Sequence, residues 1–224
     1  MAGSDREKYK FSNDWFDYNY ERWERYLGGL RDRTNNVLEI GSFEGASTTW
    51  LLDELTKKEG SKVTAVDTFE GSVEHVSDEY YTTPLQLLEE RFTSNVEQSA
   101  NFKKLRVLKG FSNNVLPKLL AEQEMFNVIY VDASHTAYDV LCDAVMSWQM
   151  LSSEGVMIFD DYEWHEYEDD SDNPKLGVDS FLRCYAAELT VLCKDYQVII
   201  KKKERTAPFR PTLRQAKQRS QGAE

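Results

Sequence analysis

Short apolar runs and amphipathic stretches alternate along most of the chain. Val37–Ile40, Lys62–Thr68, Leu105–Gly110, Phe126–Ala133 and Gly155–Asp161 have strand length and are rich in Val, Ile, Leu and Phe. Such runs suit strands buried on both faces of a parallel sheet. Between them lie stretches of helical composition: Ala46–Leu55, Pro84–Glu97, Val115–Glu122, Tyr138–Leu151 and Val178–Leu189. Repeated βα units predict a doubly wound α/β fold with helices on both faces of a mostly parallel sheet. Two further runs, Thr190–Cys193 and Gln197–Lys201, are joined by Lys194–Tyr196 alone. With no helix between them, one of the two must run antiparallel. At the other end, Phe16, Tyr20, Trp23 and Leu27 form an apolar stripe on a helix predicted to begin near Asp14, with Ser12 or Asn13 as its cap. Trp23 is expected to pack on the sheet, whereas Trp15 or Phe16 could stack on a ligand. From Glu204 to Glu224 the apolar period stops, which predicts a disordered basic tail after a single domain over residues 1–203.

The totals narrow the function classes. A chain of 224 residues with 41% hydrophobic content can build one α/β core. No run of about 18 apolar residues occurs, so no membrane span is expected. Met1–Lys10 is polar and has no secretory character. Cys142, Cys184 and Cys193 lack zinc-ligand spacing and read as reduced thiols in a cytoplasmic protein. A net charge of −12 disfavours nucleic acid as a partner. The charge is uneven: Tyr162–Asp172 is strongly acidic and Lys201–Arg219 basic. The acidic stretch suits a solvated loop or the recruitment of a cation, and the basic one a solvated tail.

The candidate chemistry gathers where the predicted strands end. Val37–Ser47 reads V-L-E-I-G-S-F-E-G-A-S, a strand, a turn bracketed by Gly41 and Gly45, and a helix. Glycines there let the backbone approach a ligand. The spacing is not the Gly-x-Gly-x-x-Gly of dinucleotide binders, and Glu39 would repel a pyrophosphate. A cationic, phosphate-free ligand such as S-adenosylmethionine fits better. Asp67, at the tip of the second strand, is placed to accept hydrogen bonds from a ribose diol. Gly110 and Ser112 follow the third strand and could line an adenine pocket. Asp132, Asp160 and Asp161 end two later strands, and three carboxylates suit a hard cation such as Mg²⁺ or Mn²⁺. Such an ion could hold a substrate diol and acidify a hydroxyl. His135 is placed as a general base. His75 and His165 lie in loops with less context, although His165 is close enough in sequence to the aspartate pair to contact a substrate. Ser72–Thr83, with Tyr80 and Tyr81, and Glu163–Lys175, with Trp164 and Tyr167, are long enough to act as acceptor lids.

Together these stretches resemble the class I S-adenosylmethionine-dependent methyltransferases. They look most like the small-molecule and sugar O-methyltransferase branch related to macrolide-sugar methyltransferases. The motifs are F-S-N-D-W-F (11–16), V-L-E-I-G-S-F-E-G-A-S (37–47), A-V-D-T-F-E-G-S (65–72), V-D-A-S-H-T-A-Y-D-V (131–140) and G-V-M-I-F-D-D-Y (155–162). The resemblance spans Phe11–Lys203, and Ala133 and Glu154 depart from it at turn positions where glycine is common. It implies a Rossmann-like seven-stranded sheet with an antiparallel last strand. It implies that Glu39, Gly41, Ser42 and Gly45 hold the methionine part of the cofactor and that Asp67 binds its ribose. Asp132, Asp160 and Asp161 take the metal positions by the same resemblance. Asp132 also counts among the cofactor contacts and, with the base His135, among the catalytic residues. The implied reaction is metal-assisted methyl transfer to a hydroxyl of a sugar or glycoconjugate. A catechol-type acceptor and a non-catalytic cofactor-fold module stand as alternatives. A nicotinamide oxidoreductase is disfavoured by the missing glycine motif and the acidic rim. The expected partner is a small-molecule or glycan acceptor, and a homo-oligomer is left open.

Overall fold

The computed structural model describes residues 7–71 and 84–204. The proposed lid Ser72–Thr83, with His75, and all of the basic tail after Glu204 lie outside the described residues. The sheet contains β1 (Asn36–Ile40), β2 (Lys62–Asp67), β3 (Leu105–Lys109), β4 (Phe126–Val131), β5 (Leu151–Phe159), β6 (Leu189–Lys194) and β7 (Val198–Lys202). Its seven strands run in the order β3-β2-β1-β4-β5-β7-β6. Strands β1 to β5 pair in parallel. β7 lies between β5 and β6 and is antiparallel to both. The fold is therefore the expected Rossmann-like mixed sheet, with its last strand reversed.

Period-two alternation in the strands sorts the core into two layers. Leu38 and Ile40 of β1 face one layer, built with α4 (Ser112–Ala121), α5 (Ala137–Met150) and α6 (Pro174–Cys184). Val37 faces the other layer with α1 (Tyr20–Leu27), α2 (Ala46–Trp50) and α3 (Leu88–Val96). After Trp50 the α2 segment continues as a π-helical stretch, Leu51–Leu55. The N-terminal aromatic stretch is not one continuous helix. It forms a 3₁₀ turn at Trp15–Asn19, then α1, then a second 3₁₀ turn at Gly28–Leu30. The expected side-chain cap is absent: Asp14 holds the N-cap position without a capping bond. The Ser12 amide instead donates to Glu44 Oε2 at 2.6 Å.

Among the boundaries that differ from expectation, two have clear physical reasons. β5 begins at Leu151, directly after α5, because the register shifts between its pairings with Phe126 and Val128. The inserted residues include Glu154 at φ +63°. They form a bulge that reads in sequence as a turn before Gly155. α6 starts at Pro174, where the fixed φ of proline suits the first helical position, and it ends at Cys184. Gly177 lets it approach α5, since a Cβ there would lie 2.2 Å from the Ala137 carbonyl oxygen. Among the described residues no helix is long and apolar enough to cross a membrane.

Trp23 fastens α1 to the sheet. It is fully buried and makes edge-on contacts to Phe16, Trp50 and Tyr130 at ring-centroid distances of 4.7, 5.1 and 4.9 Å. Replacing a buried aromatic by alanine costs about 3–5 kcal/mol through lost burial and the cavity left behind. Trp23→Ala should lower the unfolding free energy by about that amount in urea titrations. A change below about 1 kcal/mol would show that α1 is only loosely attached.

Candidate active site

The carboxyl ends of β1, β2, β4 and β5 form a rim tied together by backbone hydrogen bonds beyond the strands. Gly41 N–H donates to Val66 O at 2.9 Å, Asp132 N–H to Ile40 O at 2.8 Å and Asp160 N–H to Val131 O at 3.0 Å. Gly41 has φ +87°, and a Cβ there would sit 1.8 Å from the Asp132 carbonyl oxygen. Only glycine allows β1 to leave the sheet this close to β4. The rim opens into a cavity of about 1390 Å³. Gly41, Ser42, Asp67, Gly110, Ser112, Asp132, His135, Asp160 and Asp161 all line it.

Glu39 and Gly45 do not line the cavity. The Glu39 carboxylate is fully buried on the α2 side and accepts hydrogen bonds from Ser42 Oγ (3.0 Å), Ser47 Oγ (2.6 Å) and Thr48 Oγ1. The group expected to meet the methionine part of the cofactor is thus engaged by three hydroxyls and set back from the cavity. Glu39 therefore holds the turn from behind. Gly45, at φ +87°, opens α2 where a Cβ would press on Phe92 and Val96 at 3.1 and 3.3 Å.

Asp67 organises the turn from the cavity side. Its Oδ2 accepts from the Ser42 and Phe43 amides at 2.6 and 3.0 Å, and its Oδ1 from Phe69 N–H at 2.7 Å. A carboxylate has about four acceptor positions, so capacity remains for a ligand hydroxyl. Ser112, at the start of α4, also hydrogen-bonds Asp143, a buried carboxyl that the sequence did not single out. Burial raises Asp143 to about 7 against the opposing Ser112 bond.

The three aspartates expected to hold a metal are not arranged alike. Both oxygens of Asp160 are turned into the protein. Oδ2 accepts from Tyr130 OH and from Gln197 Nε2 (2.9 Å), and Oδ1 accepts from the Asp161 amide (2.9 Å). The groups that converge are Asp132, His135 and Asp161, with one donor atom of each within 4.8 Å of the others. His135 Nε2 lies 2.9 Å from Asp161 Oδ2. Asp160 lies beside this set with its oxygens hydrogen-bonded within the protein, and His135 joins Asp132 and Asp161 in the converging group.

The charges are balanced unevenly. Burial, followed by repulsion from Asp160 and Asp161, pushes the Asp132 carboxyl well above the usual range. Burial and the Asp161 charge raise Asp160 to about 6. Burial would raise Asp161 too, but the adjacent His135 charge and bonds from His135 and Tyr196 hold it below its ordinary value. The Tyr130 hydroxyl lies against Asp160 Oδ2 and 2.7 Å from Asp132 Oδ2. One phenolic proton serves one of these oxygens at a time, so the cluster holds its negative charge best with an added proton or cation.

Aromatic side chains form the walls. Trp15 stacks on Phe43 at 5.7 Å, and both line the cavity. Trp164, also in the lining, packs against His135 and Tyr167, each at 4.9 Å. His165 instead places Nδ1 2.7 Å from the Glu163 carbonyl oxygen and does not line the cavity. Tyr130, Gln197 and Tyr196 were missed in the sequence. Tyr130 was legible as the residue two before Asp132, on the same face of the strand, whereas Tyr196 and Gln197 carry no local signal.

A family model described as "Methyltransferase domain" matches residues 38–162, more than half of the chain. The chain belongs to that methyltransferase family. It is 30% identical over 132 residues to the O-methyltransferase hkm8 of Aspergillus hancockii, covering 59% of this chain and 44% of that protein. The chain thus spans less than half the length of that relative. Its fold is similar to an O-methyltransferase from Bacillus cereus solved with S-adenosylhomocysteine, with TM-score 0.58, 20% identity and coverage of 87% and 83% of the two chains. It is also similar to MycE, a methyltransferase from the mycinamycin biosynthetic pathway solved with Mg, S-adenosylhomocysteine and mycinamycin VI. There the TM-score is 0.56 and the identity 13%, over 83% of this chain and 49% of that one.

The buried Glu39 yields a pH prediction. Burial raises its carboxyl from 4.5 to about 7, so between those values the folded chain keeps a proton that the unfolded chain has lost. Its contribution to stability is full below pH 4.5 and is lost as pH rises through about 7. The drop in unfolding free energy from pH 4.5 to pH 8 should therefore be smaller in Glu39→Gln than in the wild type. Equal drops in parallel denaturant titrations would show that Glu39 titrates normally.

Proposed function

We propose that this chain is an S-adenosylmethionine-dependent O-methyltransferase acting on a hydroxyl of a small molecule, specifically a sugar or glycoconjugate, with help from Mg²⁺ or Mn²⁺. The observation that carries the reading is the convergence of Asp132, His135 and Asp161 on a cavity that also exposes Asp67 and the glycine turn. The acidic rim complements a sulfonium cofactor. Asp67 would take the ribose, Gly41 and Ser42 the methionine part, and Gly110 and Ser112 the adenine. A cavity larger than the roughly 300–1,000 Å³ of a single-ligand pocket supports a cofactor and an acceptor side by side. Residues 1–203 would form its methyltransferase domain, and the protein would act in the cytoplasm. Three free cysteines support a reducing compartment.

Two carboxylates and an imidazole form a hard donor set that fits a divalent cation, and the excess of buried negative charge favours one. Bound there, the ion would supply Lewis acidity to an acceptor hydroxyl. The chain's own contribution is positioning: Asp161 orients the His135 ring, and Trp164 packs against that ring. The direct 2.9 Å pairing of His135 with Asp161 also favours a second reading, in which the oriented imidazole removes the hydroxyl proton without a metal. The sugar acceptor is supported by the faces of Trp15, Trp164 and Tyr167, which suit the C–H face of a pyranose, and by the likeness to MycE in fold. A catechol would use the same walls.

The test is methyl transfer from labelled S-adenosylmethionine to a panel of deoxysugars and catechols, with added Mg²⁺ or Mn²⁺ and with a chelator. The expected result is transfer to a sugar hydroxyl that collapses with the chelator, together with a loss of about 10²–10⁴-fold in His135→Ala. Full turnover with the chelator would remove the metal and leave the His135–Asp161 pair as the catalytic unit. Full turnover of His135→Ala would overturn both readings.

A further inference from the structure

The turn between β6 and β7 reaches the site through three consecutive side chains. Asp195 Oδ1 pairs with Arg22 Nη2 at 2.7 Å. Tyr196 OH donates to Asp161 Oδ1 at 2.9 Å, and Gln197 Nε2 donates to Asp160 Oδ2 at 2.9 Å. Gln197 is fully buried, and its Oε1 accepts from Trp23 Nε1 of α1 at 2.9 Å. The Tyr196 carbonyl accepts from the Tyr162 amide at 2.9 Å, which fixes the turn against the chain leaving β5. A continuous set of polar contacts thus runs from α1 through the turn to both aspartates.

Asp161 is the residue most in need of such support. It has a left-handed backbone, φ +57°, which a non-glycine residue adopts only when its surroundings enforce it. Its amide is held by Asp160 Oδ1, its Oδ2 faces His135 Nε2, and Tyr196 grips the remaining oxygen. With Oδ1 fixed, rotation of the carboxylate about its own axis is blocked, and Oδ2 stays aimed at the imidazole.

We infer that Tyr196 is a positioning residue of the methyl-transfer site, acting through Asp161 by holding the carboxylate that orients His135. This rests on the function proposed above. Partners that orient a catalytic or metal-binding carboxylate typically carry about 10–100-fold in activity or metal affinity. The role differs from packing, because the ring can be kept while the hydroxyl is removed.

The test is a double-mutant cycle of Tyr196→Phe and Asp161→Asn. It is read on kcat at saturating cofactor and, separately, on Mn²⁺ affinity from electron paramagnetic resonance with neither cofactor nor acceptor present. Tyr196→Phe should lower kcat by about 10–100-fold and weaken Mn²⁺ binding, with the KM for S-adenosylmethionine unchanged. In the Asp161→Asn background the same change should add no further loss, since the group it acts through is gone. Additive losses, or wild-type kcat and Mn²⁺ affinity in Tyr196→Phe, overturn the inference. A wild-type chain without turnover would count against the methyltransferase reading, and the Mn²⁺ cycle would then decide the role of Tyr196 alone.

Discussion

Carboxylates buried or half-buried side by side at one edge of a parallel sheet repel one another and lose much of their water. The rest of this structure is arranged to hold them. Glu39 is held by three hydroxyls, Asp67 by three backbone amides, and Asp160 by a phenol, an amide side chain and a backbone N–H. Asp161 is held by an imidazole and a second phenol. Each set of donors comes from a different part of the chain, so the acidic rim depends on the whole fold being closed. Asp132 is the exception. Its one hydrogen-bond donor among the described residues is Tyr130, and burial, followed by repulsion from Asp160 and Asp161, pushes its carboxyl well above the usual range. Burial of this kind is costly unless a proton or a cation completes the cluster. That imbalance is the physical basis for reading the site as one that receives positive charge.

Much of this was legible in the sequence. Buried parallel strands need continuous apolar runs, so β1, β2 and β4 could be read to within a residue or two, and the more exposed edge strand β3 was read from its Leu and Val positions. Charged residues that interrupt such runs at their ends are costly enough to mark a site, and Asp67, Asp132 and Asp161 all lie on the cavity. What the sequence leaves open is where side chains point. Asp160 and Asp161 are adjacent, so their side chains leave the strand end in different directions. Asp160 turns inward to Tyr130 and Gln197 while Asp161 faces the cavity. Sequence spacing alone treats them as equivalent. Glu39 sits on the α2 side of β1 beside Val37, where serine and threonine side chains reach it before any ligand could.

The hardest feature to foresee was the role of the closing hairpin. Its two short runs showed that one strand reverses, but not that β7 would insert beside β5 and carry its turn to the mouth of the site. Residues 195–197 look like any polar connection. They gain meaning only from the sheet order, which sets them opposite the end of β5, and from α1, which contributes Trp23 and Arg22. The N-terminal aromatic segment therefore has two tasks. Its inner face packs on the sheet through Trp23, and its outer residues, Trp15 among them, wall the cavity.

The central claim is that the acidic rim is a binding site for a sulfonium cofactor. Calorimetric titration of S-adenosylmethionine and S-adenosylhomocysteine into the wild-type chain and Asp67→Ala tests it most directly, with circular dichroism confirming that both proteins are folded. The account predicts micromolar binding of both ligands to the wild type and a clear loss of affinity in the variant. A folded wild-type chain that binds neither ligand would contradict it.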